Sequence, residues 1–108
     1  MDNPSKKDAK VAAIVQAAAA QFFERESNRL SMITVTRVEL INRGKQALVY
    51  ITVFPDDKEA EAIEFAKRKR SELHQFLIKE TGLSLVPFVD VIIDLGEKNR
   101  QKLDLLKT

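Results

Sequence analysis

Two stretches rich in β-branched residues, Met32 to Ile41 and Ala47 to Phe54, stand on either side of Asn42-Arg43-Gly44-Lys45. Such residues favour a pleated, half-buried surface, and Asn and Gly supply the positive φ that a tight hairpin turn requires. The middle of the chain is therefore an antiparallel hairpin, and the remaining segments must cover it. In the second strand Ala47, Val49, Ile51 and Val53 alternate with Leu48, Tyr50, Thr52 and Phe54, so both faces are apolar enough to be partly covered. The first strand changes phase: Ile33 and Val35 share one parity, Val38 and Leu40 the other. A bulge near Thr36-Arg37 reconciles them, with an irregular pairing as the alternative.

The flanking segments read as helices. From roughly Ser5 to Glu26, Val11, Ile14, Val15, Ala18, Ala19 and Phe22 fall at three- and four-residue steps, and many alanines make a slim cylinder able to lie close to a sheet. Asn3-Pro4 is the expected start and Ser27-Asn28-Arg29 the end. Pro55-Asp56-Asp57 breaks the second strand and is expected to cap a helix over Lys58 to Lys79. Its stripe is Ala62, Ile63, Ala66, Leu73, Phe76 and Leu77, but Lys69 and Arg70 occupy the angles between the two halves. Either their stems snorkel over the core edge or the helix bends there. Thr81-Gly82 stops it, with Gly82 left-handed. Leu85 to Asp94 is a third strand, with Pro87 near its beginning or on an edge, where losing it should cost little. The order is α-β-β-α-(α)-β, an α+β sandwich of a three-stranded sheet with helices on one face. At 108 residues this is one domain spanning 1–108, with 95–108 a short charged tail in which Leu103 and Leu106 keep a helical spacing.

Composition and motifs narrow the function classes. With 44% apolar and 31% charged residues the chain belongs with globular proteins, and no apolar run approaches the ~20 residues of a membrane span. No signal peptide is visible and cysteine is absent, so a reducing cytoplasm is the expected setting. The single histidine, His74, is placed on the solvent side of the second helix; Ser71 lies three residues away without an orienting acid. The acids Asp56, Asp57, Glu59, Glu61 and Glu64 fit no calcium loop and read as a solvated helix start. Three glycines build no phosphate-cradling loop. No catalytic residue, metal, cofactor or small-molecule substrate is expected.

Charge is blocky although the net is only +2. Residues 55–66 carry one lysine against five acids, Lys67-Arg68-Lys69-Arg70 follow in a row, and the last twelve residues return to +2. Density of Lys and Arg is what phosphate contacts need. Lys67 and Arg68 point outward with Lys69 and Arg70 at the flank. By itself such a run is more often a solvated helix segment, and it is the resemblance set out below that makes Lys67, Arg68 and Arg70 the first RNA-binding candidates. Arg43 and Lys45 in the turn, and Lys98, Arg100 and Lys102 in the tail, are the second set. Tyr50 and Phe54 could stack on bases, yet a place in the core is the simpler use of Tyr50 and all six phenylalanines. The competing class is a protein-interaction module that pairs through the Ala-rich helix and the second sheet face.

Several short words, in order, resemble one family. Ile33-Thr34-Val35-Thr36-Arg37-Val38-Glu39-Leu40 looks like the "VTVTxVxV" first strand of ribosome-binding factor A, a bacterial small-subunit assembly protein. Ala47 to Val53 is similar to its "AxVYVSV" second strand, and Val86-Pro87 with Val91-Ile92-Ile93-Asp94 to its "VPxLxFxxD" third. Leu103 and Leu106 sit where its "IxxLL" falls, and Arg29-Leu30 fits the tail of its "DPRLG" connection. The resemblance implies a type-II KH-like fold that binds the immature 30S subunit and 16S rRNA, aiding late maturation and rRNA processing; a monomer is expected. It also implies an "AxG" kink between helices, which aligns with Lys69-Arg70-Ser71, where neither Ala nor Gly is present.

Overall fold

The computed structural model describes residues 6–26 and 31–107. Asn3-Pro4, Ser5, Ser27-Asn28-Arg29, Leu30 and Thr108 lie outside the described residues. The order is α1 (Lys6–Glu26), β1 (Met32–Ile41), β2 (Gln46–Phe54), a 3-10 turn (Asp56–Lys58), α2 (Glu59–Arg68), α3 (Arg70–Thr81), β3 (Phe88–Ile93) and α4 (Leu95–Lys107). The sheet runs β1-β2-β3, with β1 antiparallel and β3 parallel to β2. This is the KH-like order that the resemblance implies.

The bulge lies where the parity change requires it, between Val35 and Arg37. Ile33 then faces Val53, Val35 faces Ile51, Val38 faces Val49 and Leu40 faces Ala47, so one extra residue keeps all four apolar side chains on the core side. Val89, Val91 and Ile93 extend those rows onto β3. Val15, Ala18, Ala19, Phe22 and Phe23 of α1, Ala62 and Ala66 of α2, and Leu73 and Leu77 of α3 close this core. The alanines that could have formed a partner surface are thus divided, Ala18 and Ala19 being buried against the sheet. Ile14 is exposed and Phe23 is buried, so the stripe is turned toward the side of the helix that carries Ala19 and Phe23.

Of the two ways to accommodate Lys69 and Arg70, the chain takes the bend. Lys69 leaves helical geometry at φ −92°, ψ 3°, ending α2 and starting α3. Its amide donates to the carbonyls of Phe65 and Ala66 at 3.1 and 3.2 Å, and its own carbonyl accepts from Leu73 at 2.9 Å. The amide and carbonyl of Lys69 are both satisfied at the break. Gly82 closes α3 at φ 66°, the left-handed stop anticipated for it.

Four details differ from the expectations. No side chain caps the helix after Pro55: a 3-10 turn intervenes, in which Lys58 donates to the Pro55 carbonyl at 3.0 Å. The third strand starts at Phe88 rather than Leu85, its first ladder bond being Phe88 N–H to the Lys45 carbonyl at 3.0 Å. Pro87 is fully buried just before it, so Pro87→Ala loses packing as well as chain stiffness and costs about 1–2 kcal/mol. Residues 95–107, read as a tail, form a thirteen-residue helix. The cause is Asp94, whose Oδ1 accepts the Glu97 amide at 3.1 Å and caps α4.

Candidate nucleic-acid interface

Ile41 and Gln46, which flank the hairpin turn, and Arg70 and Ser71, which follow the helix break, line one shared depression. Asn42, Arg43 and Gly44 all have positive φ (52°, 56° and 82°), held by bonds from Gly44 N to Ile41 O and Lys45 N to Asn42 O, both 3.1 Å. This backbone suits glycine and asparagine, whereas arginine adopts it at a cost of roughly 1–2 kcal/mol. Arg43 and Lys45 are exposed and line a depression of about 740 Å³ together with Phe88. A second depression of about 600 Å³ shares Gln46 and Phe88 with the first and reaches Arg70 and His74 of α3. Arg70 Nε donates to the Lys67 carbonyl at 3.2 Å, so the basic run abuts the second depression.

The candidate cations differ in what already faces them. Arg43, Lys45 and Lys67 have no acidic partner among the described residues. Arg68 lies 3.8 Å from Glu64 and Arg70 3.4 Å from Asp90, both on the surface, where such pairs contribute little and give way to a stronger anion. Lys69 Nζ is 3.2 Å from Glu72 and 5.9 Å from the centre of the Phe65 ring. The second set in α4 is turned toward acids. Lys98 meets Glu59 at 2.9 Å, with the two side chains only 23% and 25% exposed. Lys102 lies 3.9 Å from Asp56, and Arg100 pairs with Glu97. The acidic block that opens the second helical region is therefore the counterpart of the C-terminal basic block. The hydrogen bond to Glu59 raises the Lys98 pKa above 10.5, with the charges of Glu59 and Asp56 adding to it against partial desolvation.

The sheet face away from the core is organised around Arg37 and Asp94. The Arg37 guanidinium sits 3.6 Å from the centre of the Tyr50 ring, so that ring face is covered and unavailable to a base. Thr36 Oγ1, at the bulge, donates to Asp94 Oδ2 at 2.6 Å, and Gln16 of α1 donates to the Thr36 carbonyl at 3.2 Å. The bond from Thr36 lowers the Asp94 pKa below 3.8, helped by the Glu97 amide and by Arg37 and Arg100, against desolvation.

A family model described as ribosome-binding factor A matches residues 7–106. The chain belongs to that family. Ribosome-binding factor A of Thermobifida fusca (strain YX) is 36% identical over 104 residues, covering 90% of this chain, and the match spans 66% of that relative's length. The fold is shared with the crystal structure of ribosome-binding factor A from Thermus thermophilus (TM-score 0.69, 21% identity, 80% of this chain and 94% of that one). It is shared too with the Thermus thermophilus coordinates fitted into a cryo-EM map of a 30S complex with that factor (TM-score 0.67, 19% identity, 83% and 93%).

Within the family pattern, the kink is present although its small residues are not: the break falls on Lys69, the first of the three aligned positions. The third-strand aspartate of the family is Asp94, which here joins bulge, sheet and α4. The sequence reading missed two things. His74 is half-buried and stacks on Phe88, with centroids 4.6 Å and planes 11° apart, instead of facing solvent. Phe88 and Phe54 are exposed at 66% and 72%, not core residues. The signal for Phe88 was its phase, opposite to that of Val89 and Val91.

Among the described residues no group of three or more His, Cys, Asp or Glu could hold a metal, and no helix is long and apolar enough to cross a membrane.

Proposed function

We propose that this ribosome-binding factor A chain is a non-catalytic assembly factor of a single domain, acting as a monomer in the cytoplasm. It binds the immature small ribosomal subunit and contacts 16S rRNA through the end where hairpin turn and helix break meet. One observation carries this reading: Arg43, Lys45 and Lys67 are exposed with no acidic partner among the described residues, next to the loosely paired Arg68 and Arg70. Phosphates attract free cations and displace their counterions, and a rigid sheet fixes where those cations stand. The Thermus factor placed in a 30S map shares this fold, which supports the same partner here. Docking at that end would assist late maturation and rRNA processing.

The test is sucrose-gradient fractionation with purified ribosomal particles. The chain should travel with free small subunits and not with assembled ribosomes. Lys67→Glu, Arg68→Glu and Arg70→Glu together should abolish that association while leaving the circular dichroism spectrum intact. Unchanged co-sedimentation of the triple variant would remove the patch from the account.

One observation favours a second reading, protein binding: Leu103 and Leu106, one turn apart on α4, are exposed. Retained subunit association after charge reversal at the hairpin–break end, but loss on Leu103→Ser with Leu106→Ser, would support it.

A further inference from the structure

Phe88 is the first residue of β3 and directly follows the fully buried Pro87, yet its own ring stands in water. The ring is not loose. His74 of α3 lies parallel behind it at 4.6 Å, and His74 Nε2 is 3.4 Å from the Val86 carbonyl. The Phe88 amide is tied to the Lys45 carbonyl across the sheet. An aromatic plate is thus held by two elements, with its surface offered outward.

Its surroundings specify what could lie on it. Phe88 borders both depressions described above: Arg43 and Lys45 stand on one side, Arg70 on the other. Asp90, the carboxylate lining the second depression, is engaged by Arg70 at 3.4 Å and by the Val91 amide at 2.9 Å. A protein partner would seek an apolar rim, and Leu85 is the only other strongly exposed large apolar side chain lining these depressions among the described residues. A flat ring flanked on both sides by cations instead matches a base between two phosphates.

We infer that Phe88, backed by His74, is a stacking platform for one unpaired RNA base, with the phosphates on either side of that base held by Arg43 and Lys45 and by Arg70. This inference rests on the ribosomal RNA reading above and deepens it, because a stacked base must come from a single-stranded stretch. It also supplies a strand grip in a chain that lacks a glycine-rich gripping loop.

The experiment uses the full chain and an oligouridine of about eight nucleotides carrying one central 2-aminopurine. Binding should quench the 2-aminopurine fluorescence, and a duplex of the same length should bind more weakly. Phe88→Leu keeps an apolar side chain at an exposed position and should fold normally. It should weaken oligonucleotide binding about tenfold and abolish the quench. Equal affinity and equal quenching in Phe88→Leu would overturn the inference. So would a wild type that binds small subunits but not the oligonucleotide, an outcome that leaves the ribosomal reading standing. If Phe88→Leu reduced subunit binding while the oligonucleotide never bound, the ring would be meeting ribosomal protein and the inference would fall. Failure of the wild type to bind small subunits at all would take down the broader reading first.

Discussion

Two basic regions of similar size stand at different places in this molecule, and their surroundings separate them. At the hairpin–break end, Arg43, Lys45 and Lys67 face solvent with no acidic partner among the described residues. Along α4, Lys98, Arg100 and Lys102 face Glu59, Glu97 and Asp56. A cation closely paired with a mostly covered carboxylate, as Lys98 is with Glu59, must break that contact before meeting a phosphate, and the freed carboxylate then repels the incoming strand. A count of lysines and arginines therefore overstates one region and understates the other. The first region is left open to an incoming anion, whereas Lys98 and Lys102 of the second fasten a helix to the body of the protein.

The largest effect should come from reversing the free set. Arg43→Glu, Lys45→Glu and Lys67→Glu together should weaken subunit binding by more than about 100-fold in a filter or co-sedimentation assay, with an unchanged circular dichroism spectrum. Next is the anchor of the second region. Asp94→Ala removes the α4 cap and the acceptor of Thr36, and should cost about 2 kcal/mol in urea denaturation. The sign of its pH dependence follows from the lowered pKa. The Asp94 contribution is present above the unfolded value near 3.8 and is lost as pH falls through the folded value. Acid titration of Asp94→Asn should therefore lack that part of the loss. Smaller still, Arg43→Gly should raise stability by about 0.5 kcal/mol, relieving left-handed strain at the cost of glycine's extra chain entropy, while weakening RNA binding. Least of all, Lys98→Ala, Arg100→Ala and Lys102→Ala together should change subunit affinity less than about threefold.

How far the fold was legible follows from which signals are local. The parity change at Thr36-Arg37 demanded a bulge, and the charged pair inside the apolar stripe of the second helical region left room for a break. Both depend on residues within a few positions of each other, and both appear in the structure. Helix α4 was legible only as a tail with two leucines at a helical spacing, because its leucines stay exposed and its cap comes from the residue after β3, Asp94, which the sequence shows only as a family marker. The candidate site was legible in residue type but not in partnership. The pairing of Lys98 with Glu59 joins residues far apart in the chain, and the stacking of Phe88 on His74 depends on how α3 packs beside β3. A core place is the default expectation for Phe54 and Phe88 because aromatic rings are usually buried, and at these two positions the strand phase points the other way.

The salt dependence of small-subunit binding tests the distinction between the two regions most directly. The slope of log K against log salt counts phosphates neutralised, so it reads contacts and not charge. Arg43→Ala, Lys45→Ala and Lys67→Ala together should lower that slope by about 2–3, while the matching α4 triple variant should leave it at the wild-type value. An equal drop in both variants, or a drop only in the α4 variant, would contradict the assignment of RNA contact to the hairpin–break end.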